Sequence, residues 1–213
     1  MARIPLFDPQ HMTAAQAEVY NAVIRGPRGR LVGPLRAAMH NPVLADRWQR
    51  LGEVLRYDCV LPKRLTELAI LVTARRWNSQ LEWHIHAGDA ADAGLDSTIV
   101  QAIAAGSAPT FTDHDEADIY AFARQLQGHG DVEQALYERV HQRWGTVGII
   151  ELSSVIGYYT LVAMTLNVHQ IPLPEGADSP LAVATQTTAG LPLLGDVPPG
   201  RFVASHLHVQ GER

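Results

Sequence analysis

Residues 64–95 read RLTELAILVTARRWNSQLEWHIHAGDAADAGL, and this stretch decides the fold. It divides into two consecutive helices. The first starts after Pro62 and carries Leu65, Leu68, Ile70, Leu71, Val72 and Ala74, with one carboxylate, Glu67, among them. Asn78 and Ser79 interrupt the pattern, and a second helix begins near Gln80 and stops at Gly94, glycine being a common stop signal just past a helix end. Within that second helix Glu82 and His86 are four residues apart, so they share one face and can touch. A carboxylate within reach of an imidazole fixes its tautomer and raises its basicity. Glu67, Glu82 and His86 are therefore the candidate catalytic residues, with Glu82 expected to orient His86.

The flanking chain is also helical in pattern. Residues 1–34 read as an extended arm, a helix from the Thr13 cap to about Arg25, and a loop, GPRGRLVGP, at 26–34. Asn41 and Pro42 open a helix to about Tyr57, with Leu44, Trp48, Leu51 and Leu55 at 3-to-4 spacing. After Gly94, helices are expected from Asp96 or Ser97 to Ala105, from Asp113 to about Gly128, from Val132 to Trp144 and from Thr146 to His169. The acidic run DHDEAD suits a helix N-terminus. No strand signal appears, so residues 35–174 form a single all-α domain, and 175–213 is a tail without periodicity. TELAIL near Glu67 and IELSSV near Glu151 form a faint internal repeat, 84 residues apart.

Composition excludes several classes. At 213 residues, 46 % hydrophobic and 18 % charged, the chain is globular and of one-domain size. A formal net charge of −5 and no basic cluster argue against nucleic acid or an anionic membrane surface as partner. The segment from Val147 to Leu166 is the most membrane-like, but with Glu151, Ser153 and Ser154 it reads as a core helix. The N-terminus lacks the apolar stretch of a secretory signal, and a cytoplasmic location is expected. Cys59 is the lone cysteine, which excludes an internal disulfide and a cysteine-rich zinc site.

Other polar residues have two readings. Glu67 can instead make an ordinary ion pair with Lys63 or Arg64, and Glu82 with His86 can be a solvated surface pair. Trp83, Glu151 and Tyr158 are candidates for substrate binding. Trp83 suits a core equally well, and Glu151 suits a buried pair with an arginine. His84 lies about 200° around the helix from His86 and cannot share its site. A metal site would need Glu82 and His86 with His206 or His208; with no His-x₃-His or cysteine pair, no metal is expected. The 26–34 loop lacks the Gly-Lys-Ser/Thr ending of a phosphate loop.

The order Glu67-Leu68, Glu82-Trp83-x-x-His86 and Ala93-Gly94-Leu95 resembles the carboxymuconolactone decarboxylase family, which also contains the alkylhydroperoxidase D-type proteins. The likeness extends more loosely from about Pro34 to Pro174, including LVAMTLN and PLPEG after the long helix. It implies an all-helical bundle with internal pseudo-symmetry, assembled as a homotrimer or homohexamer. Ser79 and Glu82 stand where the peroxidase branch has its Cys-x-x-Cys pair, so the two-thiol cycle of that branch is not expected. The decarboxylase branch implies cofactor-independent decarboxylation or proton transfer on a small lactone or carboxylic acid in aromatic catabolism. His86 would be the acid/base, and a carboxyl beside another carboxylate would be protonated near neutrality. The rivals are a peroxidase acting through Cys59 alone and a non-catalytic oligomer that binds a small ligand.

Overall fold

A computed structural model of the chain describes residues 2–182. Among these residues there are eight helices and no strand. They are α1 (Ala14–Arg25), α2 (Leu35–Ala38), α3 (Pro42–Tyr57), α4 (Lys63–Arg76), α5 (Gln80–Asp92), α6 (Ser97–Ala105), α7 (His114–His129) and α8 (Gln134–Val168). The protein is an all-α bundle.

Local chemistry sets the starts. Thr13 and Gln16 form a reciprocal capping box on α1, and the Asn41 side chain accepts from the Leu44 amide at 3.1 Å to cap α3. Asp96 caps α6 and Asp113 caps α7 in the same way. The helices expected at 132–144 and 146–169 join end to end as α8. Their junction is Gly145, at φ 67° and ψ −175°, a conformation that a side chain would strain. Thus α8 is a kinked pair.

Packing places α4 at the centre. Its residues Leu65 to Ala74 are buried without interruption, and it contacts α5, α6, α7 and α8. One apolar cluster joins Leu65, Leu68, Leu71, Ile119, Phe122 and Leu152, with Leu181 from beyond the last helix. A second joins Phe7, Val23, Leu35, Trp48, Ile70, Val155 and Tyr159. The N-terminal arm and α1 therefore share a core with the C-terminal half of α8. Leu181 is held by paired hydrogen bonds to the Gln80 side chain, at 2.9 and 3.0 Å. The remainder of the predicted tail, including His206 and His208, lies outside the described residues.

The long helix α8 satisfies a membrane span by length and composition, yet half of its most apolar window is buried in the bundle. Arg64 joins α4 to α7 through Asp113 at 2.9 Å and through Glu116, and Arg139 of α8 grips Asp118 at 2.7 Å. Arg64 is thus committed elsewhere and is not the partner of Glu67.

Gly52 on α3 marks the tightest approach. A Cβ there would overlap the Tyr158 hydroxyl and an Arg28 guanidinium nitrogen, whereas a Cβ on Gly88 of α5 would meet nothing within 4 Å. Gly52→Ala should therefore cost about 1–3 kcal/mol through overpacking. Gly88→Ala should gain roughly 0.5–1 kcal/mol from helix propensity. Denaturant unfolding of the two variants checks the contrast; equal shifts would remove the steric account.

Candidate active site

The seam between the two apolar clusters holds the polar groups. Glu67 enters from the middle of α4 and is 1 % exposed. His86 enters from α5 at 4 % exposure, and its Nδ1 lies 2.7 Å from Glu67 Oε2. At that distance Nδ1–H donates to the carboxylate, which leaves Nε2 as the ring atom available for proton exchange. The Tyr159 ring meets the imidazole edge-on, with centroids 4.8 Å apart. His86 is held on two sides.

Glu67, not Glu82, is thus the orienting carboxylate. The expected i,i+4 contact within α5 is not made, because Glu67 reaches the imidazole from the neighbouring helix. Glu82 is 1 % exposed, and neither of its carboxyl oxygens has a hydrogen-bond partner among the described residues. Burial pushes its pKa well above the ordinary carboxyl value. The Ser79 hydroxyl beside it acts in the opposite sense, but falls short of a hydrogen bond and is itself unpartnered. The sequence Ser79-x-x-Glu82 has the form of a capping box, yet no side chain caps α5. Burial therefore favours the protonated form of Glu82.

Both Glu82 and His86 line one small pocket, open at its mouth, with Arg28, Arg56, Tyr158 and Tyr159. Val32, Leu35, Ile85, Val162 and Leu166 supply apolar wall. The 26–34 loop, which reads in sequence as turn chemistry alone, closes one side and brings in Arg28. Arg56 of α3 pairs with Asp89 of α5, one turn beyond His86. Burial raises the hydroxyl pKa of Tyr158 and raises that of Tyr159 further, so both stay protonated donors.

The predicted binding residues fall in different places. Tyr158 lines the pocket. Trp83 is 3 % exposed in the apolar cluster behind the seam, because one residue past Glu82 turns the side chain about 100° around the helix. Glu151 is half-buried and accepts the Val60 amide at 2.7 Å, so it fastens the α3–α4 connection. The two Glu-Leu copies therefore do not face one site. His84 is exposed. Arg28 and Arg56 had no local signal, since each meets the site across a long sequence separation, whereas Asp89 lies one turn from His86 on the same helix and Tyr159 stands beside Tyr158 as a second candidate hydroxyl in the sequence.

Glu67, His86 and Asp89 place ligand atoms within 4.8 Å of one another, a spacing that can hold a cation. The arrangement does not favour one. Asp89 already has the Arg56 guanidinium, and His86 Nδ1 already has Glu67.

The raised pKa of Glu82 predicts a pH dependence of stability. Above about 4.5, its ordinary value, the unfolded chain releases this proton while the folded chain keeps it. Stability attributable to Glu82 is therefore full below that pH and falls as pH rises, by up to about 1.4 kcal/mol per unit, towards the folded pKa. Glu82→Gln should abolish that slope in urea unfolding between pH 5 and 8; an unchanged slope would contradict a neutral buried carboxyl. Comparison with protein-family models and with curated proteins returns no match to this chain.

Proposed function

We propose that the chain is a cofactor-independent enzyme of the carboxymuconolactone decarboxylase kind, acting by proton transfer on a small lactone or carboxylic acid. The observation that carries this reading is a buried, unpartnered carboxyl and an oriented imidazole on the wall of one pocket. Loss of CO₂ leaves the electron pair of the broken C–C bond on the remaining molecule, as an enolate when a carbonyl is conjugated to it. A proton donor must quench that carbon. Glu82–H supplies the proton, and His86 Nε2 relays a replacement from the pocket mouth, so that one proton is consumed for each CO₂ released. Glu67 is a positioning residue that holds the ring. Aromatic catabolism accompanies this reading by family resemblance, and a cytoplasmic setting is proposed with it.

The thiol rival is weaker on physical grounds. Burial, with Glu151 and Asp58 nearby, pushes the Cys59 thiol up to about 11, and its Sγ lies 3.3 Å from the Leu55 carbonyl. Attack on peroxide requires the thiolate, which is scarce at neutral pH under those conditions.

Assembly belongs to the same proposal. The outer face of α8 carries Val147, Ile150, Leu161, Met164 and Val168, each about half exposed, with Ser154 and Gly157 between them. The spacing alternates three and four, so these residues form one stripe. The stripe is also nearly palindromic about Gly157. In an antiparallel pair, 147 meets 168, 150 meets 164, 154 meets 161, and Gly157 meets itself, where the backbones can approach closely. A second copy of this chain is the occupant such self-complementarity fits. A two-fold contact yields an even number of chains, so it serves a hexamer and not a lone trimer.

Two measurements test the proposal. Wild type should release CO₂ from γ-carboxymuconolactone or a related lactone acid, and His86→Ala should lower that rate about a hundredfold or more. Glu67→Gln should lower kcat with KM nearly unchanged. No release from any lactone acid would leave the binding-protein reading in its place. In light scattering, wild type should show an even multiple of 23.3 kDa and Leu161→Glu a smaller species; an unchanged mass in the variant would remove the α8 contact.

A further inference from the structure

We infer that Arg28 is the anchor for a carboxylate of the ligand, one that the ligand keeps through the reaction. The inference deepens the proposed function and rests on the same pocket. Its starting point is the guanidinium's lack of a counter-charge. Among the described residues Arg56 has Asp89, Arg64 has Asp113 and Glu116, Arg139 has Asp118 and Arg143 has Asp115. Arg28 has no carboxylate. Its one hydrogen bond runs to the Tyr158 hydroxyl at 3.4 Å, and its Nε is buried with no acceptor.

A guanidinium held in a part-buried pocket without an anion is costly, and a bound carboxylate removes that cost with two parallel hydrogen bonds. The surroundings are shaped for it. Gly52 leaves the space that Arg28 and Tyr158 fill, and any side chain there would displace both. Tyr158 in turn packs edge-on to Trp48, with centroids 6.4 Å apart, so the guanidinium rests against a fixed aromatic support.

The chemistry selects among anions. The pocket wall is mostly apolar and offers one unpaired guanidinium with tyrosine hydroxyls, which suits a planar monoanion. A phosphate calls for more donors than this. Arg28 also cannot be gripping the carboxyl group that departs. A guanidinium stabilises COO⁻ and would oppose its conversion to neutral CO₂. The departing group therefore lies towards Glu82 and His86, and the ligand class is a small dicarboxylate, or a lactone acid bearing a second carboxylate.

The test uses succinate, which lacks the conjugated carbonyl needed to lose CO₂, with dimethyl succinate and inorganic phosphate as comparators. Binding is read by calorimetry and by Trp48 fluorescence. Wild type should bind succinate and not the diester, and Arg28→Gln should weaken succinate binding tenfold or more. Arg28→Lys should fall between them. Without ligand, Arg28→Gln should unfold no more easily than wild type, since it removes an unpaired charge; a lower Tm would mark a structural role and overturn the inference. So would absence of succinate binding to wild type, equal binding by the variant, or tighter Arg28-dependent binding of phosphate. Succinate binding is read without turnover. Arg28-dependent binding without CO₂ release would therefore refute the proposed reaction alone, and CO₂ release with unchanged KM in Arg28→Gln would refute the anchor alone.

Discussion

The hydrogen bond between Glu67 and His86 is the constraint on which the arrangement of the seam depends. Glu67 sits in the most deeply buried helix of the bundle, where an unpartnered carboxylate would cost several kcal/mol. His86 satisfies it from α5. That requirement fixes the rotation of α5 against α4, and with it the other residues on the same face. Glu82 is one turn earlier and Asp89 one turn later, so all three point to the seam. Each then meets a different environment: Asp89 finds Arg56, His86 finds Glu67, and Glu82 finds no partner among the described residues. Three residues of one helix face thereby acquire three different surroundings.

Much of the fold was legible because it is locally encoded. Thr13, Asn41, Asp96 and Asp113 cap helices through contacts within three residues, and the apolar spacing of α3 and α4 lies in plain view. That Glu67 interrupts an apolar helix, and that Glu82 and His86 share one face of the next, was also legible. Their roles were not. An i,i+4 spacing permits Glu82 to reach His86 but cannot forbid a better partner from another helix, and Glu67 is 19 residues away. Arg28 is less legible still. Its contact with Tyr158 spans 130 residues, and a Gly- and Pro-rich loop looks alike whether it merely turns or also closes a pocket. Trp83 shows the limit of adjacency: the next residue along a helix faces a different compartment.

One physical cause sorts the competing chemistries. Burial disfavours the charged form of every acid, so it raises the pKa of Cys59, Glu82 and Tyr159 together. For a thiol this is disabling, because its chemistry begins with the anion. For a carboxyl it is enabling, because a raised pKa helps a glutamic acid keep the proton that it must give. Burial at two separate places therefore weakens a peroxidase reading at Cys59 and favours, at Glu82, the proton that quenching a carbanion needs.

Dryness also explains why a positive group is left unpaired at the edge of the seam. Asp89 neutralises Arg56 inside the wall, so Arg56 can hold α3 to α5 but has little left to offer a ligand. Arg28 sits on a loop at the pocket side, where a protein carboxylate in bond with it would fill the space that the ligand must enter. Leaving it unpaired costs stability in the empty protein and returns it only when an anion arrives. A ligand that brings a carboxylate is thereby favoured over its neutral isosteres by the group it satisfies. Because Glu82 stays uncharged, the second end of that ligand can approach the acid without repulsion. The two conditions operate together: a charged Glu82 would repel the anion that Arg28 attracts, and an Arg28 paired within the protein would leave a neutral Glu82 with nothing held in place to protonate.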